Sequence, residues 1–360
     1  MTTLAPVHTR SLSDVFDPRA NGLNFVRLSL ALGVIVWHSF ALSGIQIGWH
    51  PLRQLLGEIW VDGFFAISGF LIVSSWTRDP NAARYLRARL LRILPAFWVC
   101  LLVTAFFIAP LATGSLGSNN ISYVVRNLAL WVFQFDIDGT PRSVPYPGVW
   151  NGSIWTLAWE FGCYLLVLGL GVTGLIRRRA TLWTLFILCV GGTAAASLGL
   201  ITNWFLITGS RFGIMFIAGA IVWQHRDRIP VNRVTVIGSV AVVISSLALP
   251  DYRLLSALPL AFLVLVAGAK ITTPRLRLRN DISYGVYIYA FPLQQVLAIC
   301  GAWTLGIPAF ATLAMVATIP IAALSWFAVE KPALRFKSTQ KKRWPTTGFF
   351  RPKKNRTPSK

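Results

Sequence analysis

The sequence predicts an all-α polytopic membrane protein with about ten transmembrane helices. The 360-residue chain is 55% hydrophobic and has a positive mean hydropathy of +0.60. Only 13% of its residues are charged, whereas soluble domains average about a quarter. Apolar stretches of about 17 to 25 residues, the length that crosses a bilayer as a helix, recur along the chain. These observations exclude a water-soluble globular protein.

The apolar stretches divide the chain into ten predicted spans. In order they are 24–46, 57–77, 93–112, 153–175, 180–200, 206–223, 234–250, 254–271, 281–301 and 309–329. They form one predicted membrane domain over 24–330, which follows an N-terminal leader, 1–23, and precedes a basic tail, 331–360. The leader has no short apolar core with a cleavage site, so no cleavable signal peptide is expected.

Basic residues are distributed unequally between the two sides that ten spans define. All but five of the 34 Lys and Arg residues fall on the side of the N-terminus. The five exceptions are Arg53, Arg126, Arg142, Arg211 and Arg253. Because basic loops remain in the cytoplasm, the pattern predicts cytoplasmic N- and C-termini and insertion into the cytoplasmic (inner) membrane. The net charge of +22 is explained mostly by this topology, and no nucleic-acid partner is expected.

Segments outside the spans carry few signals of their own. The tail holds eleven basic residues and is predicted to be disordered and to lie on anionic lipid. On the outer face only the connection 113–152 is long. Its apolar and aromatic part, 121–135, predicts an interfacial or re-entrant helix, and the Pro- and Gly-rich stretch after it predicts a loop. The four cysteines lie in apolar runs without metal-ligand spacing, so we expect no disulfide framework and no metal.

A few ionisable residues fall inside the predicted spans. Each costs several kcal/mol in lipid unless it is paired or hydrated, so each is a candidate functional residue. They are Arg27, His38, Glu58, Asp62, Glu160, Arg211 and Asp281.

Arg27 and His38 are eleven positions apart in the first span. At about 100° per residue they share one helix face, and at about 1.5 Å per residue they are roughly 16 Å apart along the axis. With a cytoplasmic N-terminus, Arg27 lies near the cytoplasmic end and His38 lies in the outer half of the membrane.

Four polar residues from four spans are predicted to reach one layer in that outer half. Helical rise counted from the span ends gives depths of roughly 8 to 12 Å for His38, Asp62, Glu160 and Arg211. We predict that this layer is the reaction centre. A histidine held by a carboxylate can take a proton from a hydroxyl or attack an acyl carbon itself, and the sequence leaves both open.

Six motifs occur in one order over about 24–335. They are Arg27 with His38, VDGFFAISGFLI at 61–72, RARLLRILPAFW at 87–98, SIWTLAWEFGCYL at 153–165, SYGVYIYAFPLQ at 283–294 and LSWFAVEKPAL at 324–334. With these motifs the chain resembles acyltransferase family 3, the integral membrane O-acyltransferases that modify bacterial glycans. Many members have His where this chain has Ala290, so no role is expected for a second histidine.

The resemblance implies an enzyme that moves an acyl group, usually acetyl, from cytoplasmic acyl-CoA to a hydroxyl of a cell-surface or secreted glycan or glycolipid. His38 would be the base or a transient acyl carrier, and Asp62 and Glu160 would orient it or contact the sugar. Arginines suited to bidentate phosphate contacts would bind CoA, namely Arg27, Arg89 and Arg92. For Arg89 and Arg92 the positive-inside rule is an equal explanation.

Further residues receive roles in substrate binding or oxyanion stabilisation. Arg211 would pair with Glu160 or stabilise the oxyanion that forms as the thioester is attacked. Tyr284 would line the substrate path, as would Tyr287, although an aromatic stripe at helical spacing is more often plain packing. Ser68 would do so too, although a Ser-Gly pair is also typical of close helix packing.

Two other classes of protein compete with an acyltransferase. A transporter or flippase of a lipid-linked glycan would also bury charges, but such folds favour repeated halves, and the sequence shows no such symmetry. A non-catalytic sensor would leave the buried ionisable layer unexplained. We therefore predict an enzyme whose partners are acyl-CoA or acetyl-CoA, a glycan acceptor and membrane lipid.

Overall fold

The structure, a computed structural model, describes residues 10–336. These residues form helices joined by loops, and no β-strand occurs among them. Residues 1–9 of the predicted leader and 337–360 of the predicted tail lie outside the described part of the chain.

Besides three short 3₁₀ helices, thirteen longer or α-helical segments follow one another in the described residues. They are α1 Leu12–Val15, α2 Leu23–Leu42, α3 His50–Gly57, α4 Ile59–Arg78, α5 Ala82–Thr113, α6 Ser118–Asn127, α7 Thr156–Val172, α8 Arg179–Ser197, α9 Trp204–His225, α10 Arg233–Ser246, α11 Arg253–Lys270, α12 Ser283–Ile299 and α13 Ile307–Arg335. Helix α5 includes a π-helical turn at Thr104–Ile108, and α13 includes another at Trp326–Glu330.

Ten of these helices coincide with the predicted spans. Seven helices in residues 10–336 are long and apolar enough to cross a membrane, namely α2, α4, α5, α8, α9, α11 and α13. Helices α7 and α10 are apolar but shorter, and α12 has 17 residues. The protein is thus an all-helical, multi-pass membrane protein, while ten crossings and cytoplasmic termini stay predictions.

Two helices are longer than their predicted spans. Helix α5 begins at Ala82, and the Asn81 side chain caps it by accepting a hydrogen bond from the Arg84 backbone N–H at 2.9 Å. Because the helix begins this early, Arg89 lies on it and not in a loop before it. Helix α13 continues to Arg335, so its last residues belong to a helix and not to the predicted tail. Both predicted limits were placed at basic residues, yet Lys and Arg are good helix formers.

Helices α4 and α9 approach each other closely through two glycines. A Cβ atom added at Gly69 would lie 1.8 Å from the Phe216 carbonyl oxygen, and one at Gly219 would lie 1.9 Å from that of Ala66. Small residues allow such backbone approach between helices in lipid. Gly69 therefore has a packing role, and the contact fixes the rotation of the helix that carries Ser68.

Before α7 the chain enters the bundle as a non-helical segment. Asn151 and Ser153 are at most 2% exposed. The Asn151 amide donates to the Ile288 carbonyl at 2.9 Å, which lacks its helical partner because Pro292 has no N–H. The Ser153 hydroxyl donates to the neighbouring Tyr287 carbonyl at 3.0 Å. The Asn151 side chain thus replaces the backbone hydrogen bond that Pro292 cannot donate within α12.

The outer connection differs from its prediction in one respect. The predicted interfacial or re-entrant helix over 121–135 corresponds to α6, which ends at Asn127. There the Asn127 side chain accepts hydrogen bonds from the backbone N–H groups of Phe133 and Gln134, at 2.9 and 3.2 Å. An asparagine that bonds to nearby backbone groups favours a turn over a continued helix.

Candidate active site

Two of the three predicted phosphate-binding arginines meet at one carboxylate. Asp281 lies just before α12, and its Oδ2 is 2.7 Å from Arg27 Nη1 and 2.6 Å from Arg92 Nη2. Arg92 Nη1 also lies 3.1 Å from Glu330 Oε2. These four residues join α2, α5, α12 and α13, and their two positive charges are matched by two negative ones. We call them the inner cluster.

The third arginine has no such partner. Arg89 forms no ion pair with a carboxylate in residues 10–336, and its buried Nε has no hydrogen-bond partner there. Its guanidinium lies 5.7 Å from the ring centroid of Tyr85 and 5.9 Å from that of Tyr164, within range of cation–π attraction. Arg89 is therefore a cation next to the inner cluster that is available to an anionic ligand.

Two hydroxyl groups hold the carboxylate of Glu160. Ser68 Oγ donates to Glu160 Oε1 at 2.8 Å, and the Tyr164 hydroxyl donates to the same oxygen at 2.5 Å. The structure thus brings together two predicted site residues, Ser68 and Glu160, across α4 and α7. The second oxygen, Oε2, makes no hydrogen bond within the described chain and is available to a substrate donor.

His38 stands apart from both predicted carboxylate partners. Its ring packs edge-on against Phe291, with centroids 5.0 Å apart. Its Nδ1 is buried and has no hydrogen-bond partner among residues 10–336. Neither Asp62 nor Glu160 hydrogen-bonds to the imidazole, so the expected orienting carboxylate is not found in this structure.

Asp62 and Arg211 belong to a separate group of ion pairs with Glu58 and Arg253, which we call the outer cluster. Arg253, which is 2% exposed, lies 2.6 Å from Glu58 and 2.7 Å from Asp62. Arg211 pairs with Glu58 at 2.6 Å. The predicted pairing of Arg211 with Glu160 is therefore wrong, because equal depth in two helices does not place two residues on facing sides.

Arg253 is a residue that sequence reasoning missed. It was counted only as one of the five outer basic residues, although it is the most buried arginine of the outer cluster. The preceding residue, Tyr252, donates its hydroxyl to Asp62. The signal in the sequence is the Asp-Tyr-Arg triplet at 251–253, which opens a span with an acid and a base together.

Aromatic side chains of α4 and α12 contact both Arg27 and His38. The Arg27 guanidinium lies 5.9 Å from the Phe64 ring centroid, and the Phe64 centroid lies 5.9 Å from that of Tyr287. One helical turn later in α12 comes Phe291, the ring that contacts His38. Aromatic residues of α4 and α12 thus contact the guanidinium at one end of this face and the imidazole at the other.

Tyr284 lies beside the inner cluster. The Arg92 guanidinium is 5.5 Å from its ring centroid, and its hydroxyl donates to the Ile93 carbonyl at 2.9 Å. Its hydroxyl is thus already used by the protein, so the ring is the part that can line a path. In residues 10–336 no group of three or more His, Cys, Asp or Glu side chains is arranged to hold a metal ion.

The apolar helices and the buried ionisable groups between them define a multi-pass membrane protein. Residues 20–327 match the family model of the acyltransferase domain of acyltransferase family 3. The chain therefore belongs to acyltransferase family 3, and it is an O-acyltransferase.

Relatives with assigned names agree with this membership. The chain is similar to an O-acetyl transferase of Shigella phage Sf6, at 29% identity over 87% of this chain and 96% of the relative. It is similar to nodulation protein 10 of Rhizobium leguminosarum bv. viciae, at 27% identity over 89% of this chain and 94% of the relative. O-acetyltransferase OatA of Staphylococcus aureus is 28% identical over 58% of this chain and 33% of its own length. No solved structure is significantly similar.

Proposed function

We propose that the protein moves an acyl group, in the simplest case acetyl, from cytoplasmic acyl-CoA to a hydroxyl of a cell-surface or secreted glycan or glycolipid. One observation carries the proposal. A guanidinium and an imidazole lie on one face of α2, and aromatic rings contact both: Phe64 contacts Arg27 and Tyr287, and Phe291, one helical turn after Tyr287, contacts His38. The separation of roughly 16 Å along the helix is comparable to an extended pantetheine arm.

The diphosphate of the donor would bind beside the inner cluster. Arg89 is the best candidate because no carboxylate in the described chain neutralises it. Arg27 and Arg92 keep 20% and 15% of their side-chain surface accessible, so they can add contacts to the same group. Arginine suits this task because its planar group binds phosphate in a bidentate manner.

His38 would carry out the transfer in one of two ways. As a base it takes the proton of the acceptor hydroxyl while that oxygen attacks the thioester carbon, the C–S bond breaks and the CoA thiolate leaves and is protonated. As a nucleophile its nitrogen attacks first, CoA leaves, and the hydroxyl then takes the acyl group from the imidazole. Nδ1 has no hydrogen-bond partner within residues 10–336, so both routes are open.

Glu160 would contact the substrate directly. Its Oε1 is taken by Ser68 and Tyr164, so these hydroxyls position the carboxylate and leave Oε2 for a donor on the substrate. These contacts favour substrate binding over the alternative in which Glu160 orients His38.

Asp62 and Arg211 would act indirectly. Their ion pairs with Arg253 and Glu58 join α4, α9 and α11 on the predicted outer side. We propose that this outer cluster keeps the helices in register around the acceptor side of the site.

The function is tested by mass spectrometry of surface glycans from cells that express the protein, lack it, or express His38→Ala at the same membrane level. We expect an ester-linked acyl group only with the unaltered chain, and its mass names the acyl group and the acceptor. Identical glycans in all three samples would contradict the proposal.

A further inference from the structure

A cavity of about 400 Å³ lies between the ends of α4 and α9 and the connection between α7 and α8. Three arginines and two tryptophans contribute to its wall, namely Arg177, Arg179, Arg226, Trp76 and Trp223. Its volume is within the usual range for small-molecule sites, about 300 to 1,000 Å³. The positive-inside rule puts this end of the bundle in the cytoplasm. None of these residues has a role in the site described above.

Carboxylates in residues 10–336 do not balance the charge of the cavity. Arg177 and Arg179 are exposed and form no ion pair with a carboxylate in the described chain. The Arg226 guanidinium stacks 3.8 Å from the Trp223 ring centroid, and its contact with Asp227 is long, at 3.8 Å, and on an exposed carboxylate. Topology alone explains basic loops, but it does not explain why they converge on an aromatic cavity. The arrangement fits an anion that also carries a flat ring.

Gln224 adds a hydrogen-bond acceptor to the same wall. Its Nε2 donates to the Ile176 carbonyl at 2.9 Å, which fixes the orientation of the amide. The other atom, Oε1, is buried and has no hydrogen-bond partner in residues 10–336. A buried acceptor without a partner is costly, by about 1 to 3 kcal/mol, so a ligand with an N–H group at this position would be favoured.

The cavity adjoins the candidate active site through Trp76. That ring packs edge-on against Tyr85, with centroids 5.4 Å apart, and Tyr85 is one of the rings under the Arg89 guanidinium. Trp76 is eight residues after Ser68 in α4, roughly 12 Å along the axis. A ligand held in the cavity could therefore extend past Arg89 to the Ser68–Glu160 pair.

We propose that this cavity binds the adenosine 3′-phosphate end of acyl-CoA. Arg177, Arg179 and Arg226 bind the 3′-phosphate, the base lies among the tryptophans, and its 6-amino group donates to Gln224 Oε1. The diphosphate then continues toward Arg89. This inference rests on the proposed function, which it deepens by placing the nucleotide. The headgroup of an anionic phospholipid offers similar phosphate chemistry, so the experiment must separate the two sources.

Kinetics with two donors test the phosphate contacts. We compare acetyl-CoA with S-acetylpantetheine, which has the thioester arm but no nucleotide, on full-length protein in detergent. The double substitution Arg177→Gln with Arg179→Gln should raise KM for acetyl-CoA on the order of tenfold and leave KM for S-acetylpantetheine unchanged. Arg178→Gln, an exposed neighbour that does not line the cavity, is the matched control. Equal effects on both donors, or none on acetyl-CoA, would overturn the proposal.

Competition between two nucleotides tests the contact with Gln224. Adenosine 3′,5′-bisphosphate should inhibit more strongly than its inosine analogue, which has a carbonyl in place of the 6-amino group. Gln224→Leu should remove the difference. Equal inhibition of the unaltered protein by both nucleotides would overturn this placement of the base.

Binding without turnover separates this proposal from the proposed function. Equilibrium dialysis with labelled adenosine 3′,5′-bisphosphate should show binding that the Arg177 and Arg179 substitutions weaken and Arg178→Gln does not. If the nucleotide binds in this way but no acyl transfer occurs, the proposed function is wrong and the cavity assignment stands. If transfer occurs but the nucleotide does not bind in this way, the cavity assignment is wrong and the proposed function stands. If phosphatidylglycerol micelles raise Tm only when Arg177 and Arg179 are present, and nucleotide binding does not depend on them, the occupant is a lipid and the proposal fails.

Discussion

Arg27 of α2 and Asp281, just before α12, form an ion pair with 2.7 Å between Nη1 and Oδ2. The same carboxylate oxygen lies 2.6 Å from Arg92 Nη2. One carboxylate therefore contacts two guanidinium groups, and α2, α5 and the start of α12 meet there. Its removal would leave Arg27 without an ion-pair partner in the described chain, whereas Arg92 would keep Glu330.

Asp281→Asn is expected to destabilise the protein. Loss of one partner from a buried pair costs about 3 to 5 kcal/mol, and we expect the lower end of that range because these side chains are partly accessible. Thermal unfolding in detergent measures the effect. Asp79→Asn is the control, since the Asp79–Arg84 pair is largely exposed and should contribute less than about 1 kcal/mol. Equal losses of Tm for the two variants would contradict the assignment.

Glu160→Gln should lower kcat/KM for acyl transfer by about 10- to 100-fold. The substitution keeps the shape of the side chain but removes the negative charge, and a hydrogen bond to a charged group is worth about 1.5 to 3 kcal/mol. Ser68→Ala, which removes only one hydrogen bond to that carboxylate, should cost less than Glu160→Gln. Steady-state kinetics with purified protein checks the order, and a larger loss for Ser68→Ala would show that Ser68 has its own role.

Gly69→Ala should prevent normal folding of the bundle. Its new Cβ atom would lie 1.8 Å from a carbonyl oxygen of α9, so α4 and α9 must separate. Gly162→Ala is the matched control in α7, because nothing lies within 4 Å of the Cβ position there. Membrane accumulation and size-exclusion profiles distinguish them, and a well-folded Gly69→Ala protein would contradict the close contact.

Arg253→Met should be more damaging than Arg211→Met. Arg253 is 2% exposed and lies within 3.0 Å of three carboxylates, those of Asp62, Glu58 and Asp251, so its loss leaves buried negative charges uncompensated, at about 3 to 5 kcal/mol. Arg211 is 36% exposed, so water screens its loss. Thermal unfolding of the two variants gives the comparison, and similar Tm values would show that the outer cluster is not organised around Arg253.

The sequence predicted the positions of the helices better than the partners of their polar residues. Hydropathy located the ten helical segments because burial in lipid acts on whole stretches of residues. The shared face of Arg27 and His38 was also predictable, since the helical repeat fixes angles within one helix. The family resemblance, based on six ordered motifs, was confirmed over residues 20–327.

Contacts between helices were beyond the same reasoning. Helical rise gives the depth of a residue but neither its direction around the axis nor the neighbours of its helix. Asp62 was therefore expected to orient His38 or to contact the sugar, whereas its observed partners are Tyr252 and Arg253. The buried segment at Asn151 was missed for a related reason. Its composition is that of a surface loop, and its hydrogen bonds to the Ile288 and Tyr287 carbonyls, the first of them unpaired in the helix because of Pro292, could not be predicted from composition.

The central claim is that acyl-CoA binds from one side of the membrane and that its acyl group is transferred to an acceptor on the other side, along the face of α2 that carries Arg27 and His38. The most direct measurement uses sealed proteoliposomes in one known orientation, with labelled acetyl-CoA on the side of Arg27 and a glycan acceptor on the side of His38. We expect labelled acceptor with the unaltered chain and none with His38→Ala reconstituted at equal density. Transfer that occurs only when donor and acceptor are on the same side, or that persists without His38, would contradict the account.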